Sequence, residues 1–207
     1  SKSPYLYGTD VSAATIIKNT YMTKYPDAIS EYKLCVIDIE ADVDTGEMVI
    51  VSVSNRENIY KKILSKIIKN KKTFQDDINY LYKKHIPDTE ISKVIRPVFE
   101  LFDNEISMLK AVMAKAHSWK PDFMVVWNIE YEIPFFMKLC EANSVRPEDV
   151  FSDPDLPRNL KYFNYKQGQK SKKTASGVFK PMNPEEQWHV VNCPAHFYWI
   201  DAMSAHR

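Results

Sequence analysis

The sequence predicts an α/β fold in which a mixed β-sheet is flanked by helices. Three segments support this fold class: a β-hairpin over residues 33–53, an amphipathic helix from residue 103, and a fully apolar run within residues 121–128. A glycine turn between two apolar strands is typical of a hairpin, and an uninterrupted apolar run is typical of a buried parallel strand. At 207 residues and 44% hydrophobic content, one domain with a sizeable core is expected.

Composition excludes several functional classes. The formal net charge is +1, so a nucleic-acid surface has to come from local clustering of basic side chains. The three cysteines are widely spaced and match neither a disulfide framework nor a zinc site, which favours a reducing compartment. No apolar run approaches the roughly 20 residues that span a bilayer, so no membrane contact is expected.

The first elements of the chain are read in order as follows. Residues 1–31 are interpreted as a polar lead-in. The hairpin then has strands at 33–42 and 48–53, joined by a turn at Gly46.

Helices are predicted next. Residues 57–85 are expected to form one or two peripheral helices with a solvated lysine face, because apolar residues recur there at helical spacing: Ile59, Ile63, Ile67, Ile78 and Leu81. A clear amphipathic helix follows over residues 103–116, with Asp103 as its N-cap.

The remaining segments complete the layer fold. Residues 121–128 are predicted as a central parallel strand, and the next helix is expected to start at Pro134, with proline in its first turn. Residues 143–193 are predicted to be irregular, and residues 197–203 to form a last strand. The order hairpin, helix, strand, helix, strand matches a ribonuclease-H-like fold, in which acidic residues from strand and helix ends gather around metal.

Asp38 and Glu40 are the most informative pair of residues. They lie two positions apart in a predicted strand, so both carboxylates point to the same face. Like charges this close repel unless a cation lies between them, and Mg²⁺ or Mn²⁺ is the usual cation for carboxylate oxygens. The alternative is an ordinary solvent-facing alternation. Leu34 and Val36 share the acidic face, however, so the carboxylates extend an apolar stripe.

A second acidic pair, Glu130 and Glu132, follows the predicted central strand. Open α/β sheets place their sites at the carboxyl ends of such strands. Acids also favour the first turn of a helix because of its dipole, and this explains one of the two glutamates. It does not explain why Asn128 and the aromatic residues after Pro134 accompany them.

A basic segment is a candidate surface for single-stranded nucleic acid. Residues 158–180 carry seven basic side chains and no acid. Lys170, Lys172 and Lys173 supply positive charge, and three interleaved rings can stack on bases: Tyr162, Phe163 and Tyr165. The alternative is a solvated β-ribbon without a binding role.

These motifs together resemble the exonuclease domain of family B DNA polymerases. Residues 36–40 resemble the first exonuclease motif, whose core is Asp-x-Glu, and residues 128–135 are similar to the second, Asn…Phe-Asp-x-Pro-Tyr. Three further segments resemble the tailed-phage branch: Phe102–Glu105, Lys120–Pro121 and Phe197–Ser204. The resemblance covers residues 32–204 in order.

The resemblance implies a 3′-5′ proofreading exonuclease of a viral DNA-directed DNA polymerase, in the cytoplasm of an infected host cell. Its substrate would be the 3′ end of single-stranded DNA, and its partners the remaining polymerase domains. Two Mg²⁺ or Mn²⁺ ions are implied: Asp38 would bridge them, Glu40 would hold the metal of the attacking water, and Glu132 would serve the second metal. Asn128 and the basic segment would bind the strand, and an extended β-hairpin is expected there.

Two departures from the family pattern keep an alternative open. Glu132 stands where the family has aspartate, and its loop is one residue shorter. The third motif, Tyr-x-x-x-Asp, has no counterpart before Arg207. We therefore expect residues 1–31 to lead in from a preceding N-terminal domain, and residues 32–207 to form an exonuclease domain truncated before that motif, with weak activity or none.

The alternative function is a degenerate, non-catalytic ribonuclease-H-like module that binds nucleic acid or a partner protein. A freestanding proofreading exonuclease is a third hypothesis, which the absence of the last motif disfavours.

Overall fold

The computed structural model describes residues 13–27, 31–86 and 96–206. The chain divides into two compact units, Ser1–Tyr32 and Lys33–Arg207. In the first unit, helix α1 spans Ala13–Lys24. The polar lead-in predicted from the sequence therefore contains a helix, whose described side chains are exposed. None of the helices in the described ranges is long and apolar enough to cross a membrane.

The second unit is built on a mixed sheet that has six strands among the described residues: β1 (Leu34–Ala41), β2 (Met48–Ser54), β3 (Asn58–Leu64), β4 (Arg96–Phe102), β5 (Phe123–Val126) and β10 (Tyr198–Asp201). Their order across the sheet is β10-β5-β1-β2-β3-β4. Strand β2 runs antiparallel to its neighbours β1 and β3, whereas β4 is parallel to β3 and β5 is parallel to both β1 and β10. The predicted hairpin and parallel strands are confirmed, and the fold is a mixed α/β layer consistent with a ribonuclease-H-like exonuclease.

Among the described residues, the helices of this unit are α2 (Phe74–His85), α3 (Glu105–Trp119), α4 (Ile129–Ala142), α5 (Pro147–Phe151) and α6 (Ala202–Ala205). Side chains of α3 and α4 share one core with alternate residues of β1, among them Ile37, Met108 and Phe136. The side chains that point to the other face of β1, including Leu34 and Val36, are exposed. Strand β1 therefore has one covered face and one open face.

The prediction of a helix from residue 57 is wrong for its first part, which contains Ile59 and Ile63. Ile59 and Ile63 lie on β3, which pairs with β2 and β4. A spacing of four places two residues on one face of a helix and also on one face of a strand, so this spacing alone could not separate the two. The second part is confirmed, because Ile78 and Leu81 lie on α2.

Two helix starts differ from the prediction. The N-cap of α3 is Asn104, whose Oδ1 accepts from the Ser107 N–H at 2.9 Å, while Asp103 accepts from the Ser65 hydroxyl at 2.8 Å. Helix α4 begins at Ile129, so Pro134 lies inside the helix and not in its first turn. Proline lacks an N–H, so position 134 donates no hydrogen bond to the Glu130 carbonyl four residues earlier.

The segment predicted as irregular contains an extended β-hairpin, as the family resemblance implied. Strand β6 (Asn164–Lys166) pairs with β9 (Val190–Asn192), and within this pair β7 (Ser171–Lys173) pairs with β8 (Phe179–Pro181). We call residues 164–192 the insertion hairpin. Each of its strands has three residues, too few for periodicity to reveal.

Candidate active site

The carboxyl ends of three parallel strands meet at one edge of the sheet. In the register of these strands, Val36 of β1 lies opposite Val125 of β5, and Asp201 of β10 lies opposite Val126. Asp38 follows two residues after Val36, and α4 begins directly after β5. Acidic residues from β1, β10 and α4 are therefore delivered to the same edge, which is where open α/β sheets place their sites.

Asp38 and Glu40 share the open face of β1. Burial alternates along the strand, with Cys35, Ile37 and Ile39 covered and both acids exposed. Opposite them on β2 lie Ser52 and Ile50, respectively. The shared face agrees with the strand repeat, and it leaves both carboxylates accessible to a ligand at the sheet edge.

Glu132 lies in the first turn of α4 and is buried, with 4% of its surface exposed. Its Oε2 has no hydrogen-bond partner within the described residues. The pKa of the Glu132 carboxyl is raised to about 7, chiefly by burial and in smaller part by the negative charges of Asp38 and Asp201. A buried carboxylate oxygen beside two other acids is relieved by a proton or by a cation.

The chemistry of this donor set fits a hard divalent cation, but the set is incomplete. Carboxylate oxygens are the ligands that Mg²⁺ and Mn²⁺ prefer, and the Glu132 Oε2 atom is free to coordinate. Across residues 13–27, 31–86 and 96–206, however, no three His, Cys, Asp or Glu side chains are grouped so that they could hold a metal ion. Asp38 and Glu132 interact electrostatically, and Glu40 does not complete a ligand set with them.

Asp201 is a further acid at this edge, one that the sequence indicated only as a strand residue. It is 9% exposed and caps α6: Oδ1 accepts from the Met203 N–H, and Oδ2 accepts from the Ser204 hydroxyl, both at 3.2 Å. An aspartate between an apolar strand and a serine three residues later is a recognisable capping signal. Its charge also contributes to the raised pKa of Glu132.

Glu130, the other acid of this helix turn, is directed toward the insertion hairpin. Its Oε1 accepts hydrogen bonds from Lys170 Nζ at 2.8 Å and from Gln167 Nε2 at 3.1 Å. The hydrogen bond from Lys170 is the main cause that lowers the pKa of the Glu130 carboxyl. The two glutamates of one turn thus have opposite environments: Glu132 is buried and unpaired, and Glu130 is paired with a cation.

The structure gives two of the predicted DNA-binding residues internal roles. The Asn128 side chain is the N-cap of α4, because its Oδ1 accepts from the Glu130 N–H at 3.0 Å. The Phe163 ring packs on Phe151 with ring centroids 4.7 Å apart and lies partly buried against the core. The DNA-binding role of the three rings stays a prediction, which these contacts do not test.

The other predicted DNA-binding residues lie nearer the surface. Tyr162 is 48% exposed, whereas Tyr165 is half-buried and its hydroxyl contacts His189 Nδ1 at 2.8 Å. The three lysines of the prediction are exposed, and two of them form ion pairs: Lys170 with Glu130, and Lys172 with Glu186. Lys173 is exposed on β7.

A comparison with protein families identifies this architecture. The model of the DNA polymerase family B exonuclease domain matches residues 8–174, which is most of the chain. No curated protein matches the chain. The family match supports a 3′-5′ exonuclease of the metal-dependent type, with nucleic acid as its substrate and other polymerase domains as its context. The chain belongs to the exonuclease-domain family of family B DNA polymerases.

Proposed function

We propose that this chain provides proofreading in a viral, tailed-phage-type DNA-directed DNA polymerase, by removing nucleotides from the 3′ end of single-stranded DNA. Residues 32–207 form the exonuclease domain in this proposal. The observation that carries the proposal is the buried Glu132 carboxylate, which has an unpaired oxygen and lies within the electrostatic influence of Asp38.

Asp38, Glu40 and Glu132 are the proposed ligands of two Mg²⁺ or Mn²⁺ ions. Such ions supply a hydroxide at neutral pH and stabilise the charge on the leaving 3′ oxygen. The chain's own residues hold the ligands in place: Asn128 caps α4 and so fixes the first turn that carries Glu132. Because Glu132 is buried, its charged form is disfavoured there, and a nearby cation would stabilise it.

The proposed path of the DNA strand runs over the insertion hairpin. Lys170, Lys172 and Lys173 contribute positive charge to its exposed surface. Tyr162 is the most exposed of the three predicted rings and is the one we propose to stack on a base. Phosphates would compete for Lys170 and Lys172 with the carboxylates that now pair with them.

A non-catalytic role is the second candidate. It is favoured by the absence, in the described part of the chain, of three acidic or imidazole side chains grouped for a metal ion. In that case the domain binds single-stranded nucleic acid or a partner protein through the same surface and does not cleave.

Digestion of 5′-labelled single-stranded DNA with Mn²⁺ or Mg²⁺ distinguishes the two functions. The exonuclease proposal predicts stepwise shortening from the 3′ end that is lost in Asp38→Ala and Glu132→Ala. Asp44→Ala is the matched control, because Asp44 is an exposed acid in the turn after β1. Binding without shortening, unchanged in all three variants, would favour the non-catalytic module.

A further inference from the structure

One carboxylate of α4, that of Glu130, contacts the insertion hairpin through several polar side chains. Glu130 Oε1 accepts hydrogen bonds from Lys170 Nζ at 2.8 Å and from Gln167 Nε2 at 3.1 Å, and Glu130 Oε2 faces His189 Nε2 at 3.9 Å. Gln167 and Lys170 belong to the connection between β6 and β7, while His189 directly precedes β9. A single side chain of α4 therefore engages both chain segments at the base of the hairpin.

His189 is oriented so that it presents a donor to Glu130. Its side chain is 2% exposed, and its Nδ1 accepts a hydrogen bond from the Gly168 N–H at 3.2 Å. Since Nδ1 is an acceptor, the neutral ring carries its proton on Nε2, the atom that faces Glu130. The Tyr165 ring lies nearly parallel to His189, with an interplanar angle of 7° and centroids 6.0 Å apart, and its hydroxyl contacts Nδ1 at 2.8 Å. This contact helps to hold the imidazole in its orientation.

The close packing around Gly168 shows that this part of the hairpin is built tightly. A Cβ atom at Gly168 would lie 2.9 Å from the backbone carbon of Gln187 and 3.0 Å from backbone atoms of Trp188. Only glycine fits there without a backbone shift. The donors that contact Glu130 are thus held by a well-packed base and not by a loose loop.

A simpler explanation accounts for only part of these contacts. An acid in the first turn of a helix is favourable because of the helix dipole. The dipole does not explain why three donors from the insertion hairpin converge on this carboxylate. It also does not explain why Glu132, in the same turn, has none of them.

We propose that Glu130 is a positioning residue that holds the insertion hairpin at the edge of the sheet where Asp38 and Glu132 lie. The contacts of Glu130 set the position of the hairpin, and the consequence for DNA cleavage rests on the proposed nuclease function. Loss of Glu130 loosens the hairpin without removing any proposed metal ligand. A nuclease with a loose hairpin should bind the strand less well and still cleave what it binds.

Hydrogen–deuterium exchange of the 207-residue protein tests the positioning role directly. In Glu130→Ala, the amides of residues 164–192 should exchange about three- to tenfold faster, because the ion pair and hydrogen bonds that close this region are gone. Amides of α3 should keep their wild-type rates. Glu141→Ala is the matched control, since Glu141 is an exposed glutamate at the other end of α4, and it should leave the hairpin unchanged.

A variant on the hairpin side covers the case in which Glu130→Ala does not fold. Gln167→Ala combined with Lys170→Ala leaves α4 intact and should accelerate exchange over residues 164–192 as well. Adding Glu130→Gln to this double variant should produce little further acceleration, because the donors are already absent. Wild-type exchange of the hairpin in the double variant, or in a folded Glu130→Ala protein, would overturn the positioning role.

Cleavage kinetics separate this inference from the proposed function. If the wild-type protein is a nuclease, Glu130→Ala should raise KM several-fold with kcat largely retained, whereas Glu132→Ala should abolish kcat. A wild-type protein without nuclease activity whose hairpin still loosens in Glu130→Ala would refute the nuclease and support the positioning role. If the wild-type protein is active and Glu130→Ala keeps the wild-type hairpin exchange and the wild-type KM, the nuclease is supported and the positioning role is refuted.

Discussion

Glu132 of α4 and Asp38 of β1 come from different elements, yet the charge of Asp38 helps to raise the pKa of the Glu132 carboxyl. Burial is the larger cause, and Asp201 adds to the effect. The edge of the sheet therefore stores unfavourable electrostatic free energy when Glu132 is ionised. A cation or a proton at this edge releases it.

The first prediction concerns stability against pH. The pKa of Glu132 rises from 4.5 to about 7 on folding, so its contribution is fully present below pH 4.5 and is lost as pH rises through about 7. Glu132→Gln should unfold like the wild type near pH 4 and be more stable at pH 8, by up to about 3 kcal/mol. Denaturant unfolding at both pH values measures the difference in free energy of unfolding between Glu132→Gln and the wild type. The same difference at pH 4 and at pH 8 would contradict the prediction.

The second prediction concerns divalent metal. At pH 8, Mn²⁺ should raise the melting temperature of the wild-type protein, because a ligand that binds only the folded state stabilises it by mass action. The increase should be modest, since the described residues do not provide a three-carboxylate group. It should disappear on adding EDTA and in Asp38→Ala, and persist in Asp44→Ala. Equal stabilisation of Asp38→Ala would place the binding elsewhere.

The third prediction distinguishes the two aromatic neighbours of the basic segment. Phe163→Ala should destabilise the fold by about 2–4 kcal/mol, because the ring packs against the core. Tyr162→Ala should change the free energy of unfolding little and weaken single-stranded DNA binding, because this ring is exposed. Urea unfolding and fluorescence anisotropy of the two variants give the comparison. Weaker DNA binding in Phe163→Ala, with loss of stability in Tyr162→Ala instead, would indicate that Phe163 is the ring that binds DNA.

The fourth prediction concerns the lysines of the insertion hairpin. Each phosphate contact contributes about −0.7 to the slope of log affinity against log salt for a single strand. Replacing Lys170, Lys172 and Lys173 by alanine should flatten that slope, and replacing Tyr162 should weaken binding with the slope retained. An unchanged affinity and slope in the triple variant would identify the hairpin as a solvated ribbon.

The fifth prediction concerns His117, a buried residue of α3 outside the candidate site. Burial lowers the pKa of His117, so its contribution is present above pH 6.5 and is lost as pH falls through the lowered value in the folded state. His117→Phe should therefore be more stable relative to the wild type at pH 5 than at pH 7.5. Denaturant unfolding at the two pH values checks this, and a difference of the opposite sign would exclude burial of the neutral ring.

Local patterns of the sequence were sufficient for much of the fold and for part of the candidate site. Strand alternation predicts that Asp38 and Glu40 share a face, and the structure has them on the open face of β1. The same reasoning fails at Ile59 and Ile63, because a spacing of four fits a strand as well as a helix. The sequence also does not separate Phe163 from Tyr162, since both are aromatic residues in one basic segment.

What the sequence determined by itself was the hairpin of β1 and β2, helix α3, the parallel strands β5 and β10, and which residues could carry chemistry. Periodicity and turn residues, on which these predictions rest, are local. Only the tertiary structure decided which of two glutamates in one helix turn is buried. Glu132 has an unpaired oxygen and a pKa raised in part by the charges of Asp38 and Asp201, whereas Glu130 forms an ion pair with Lys170. Burial and pairing depend on residues distant in the chain, so no local pattern contains them.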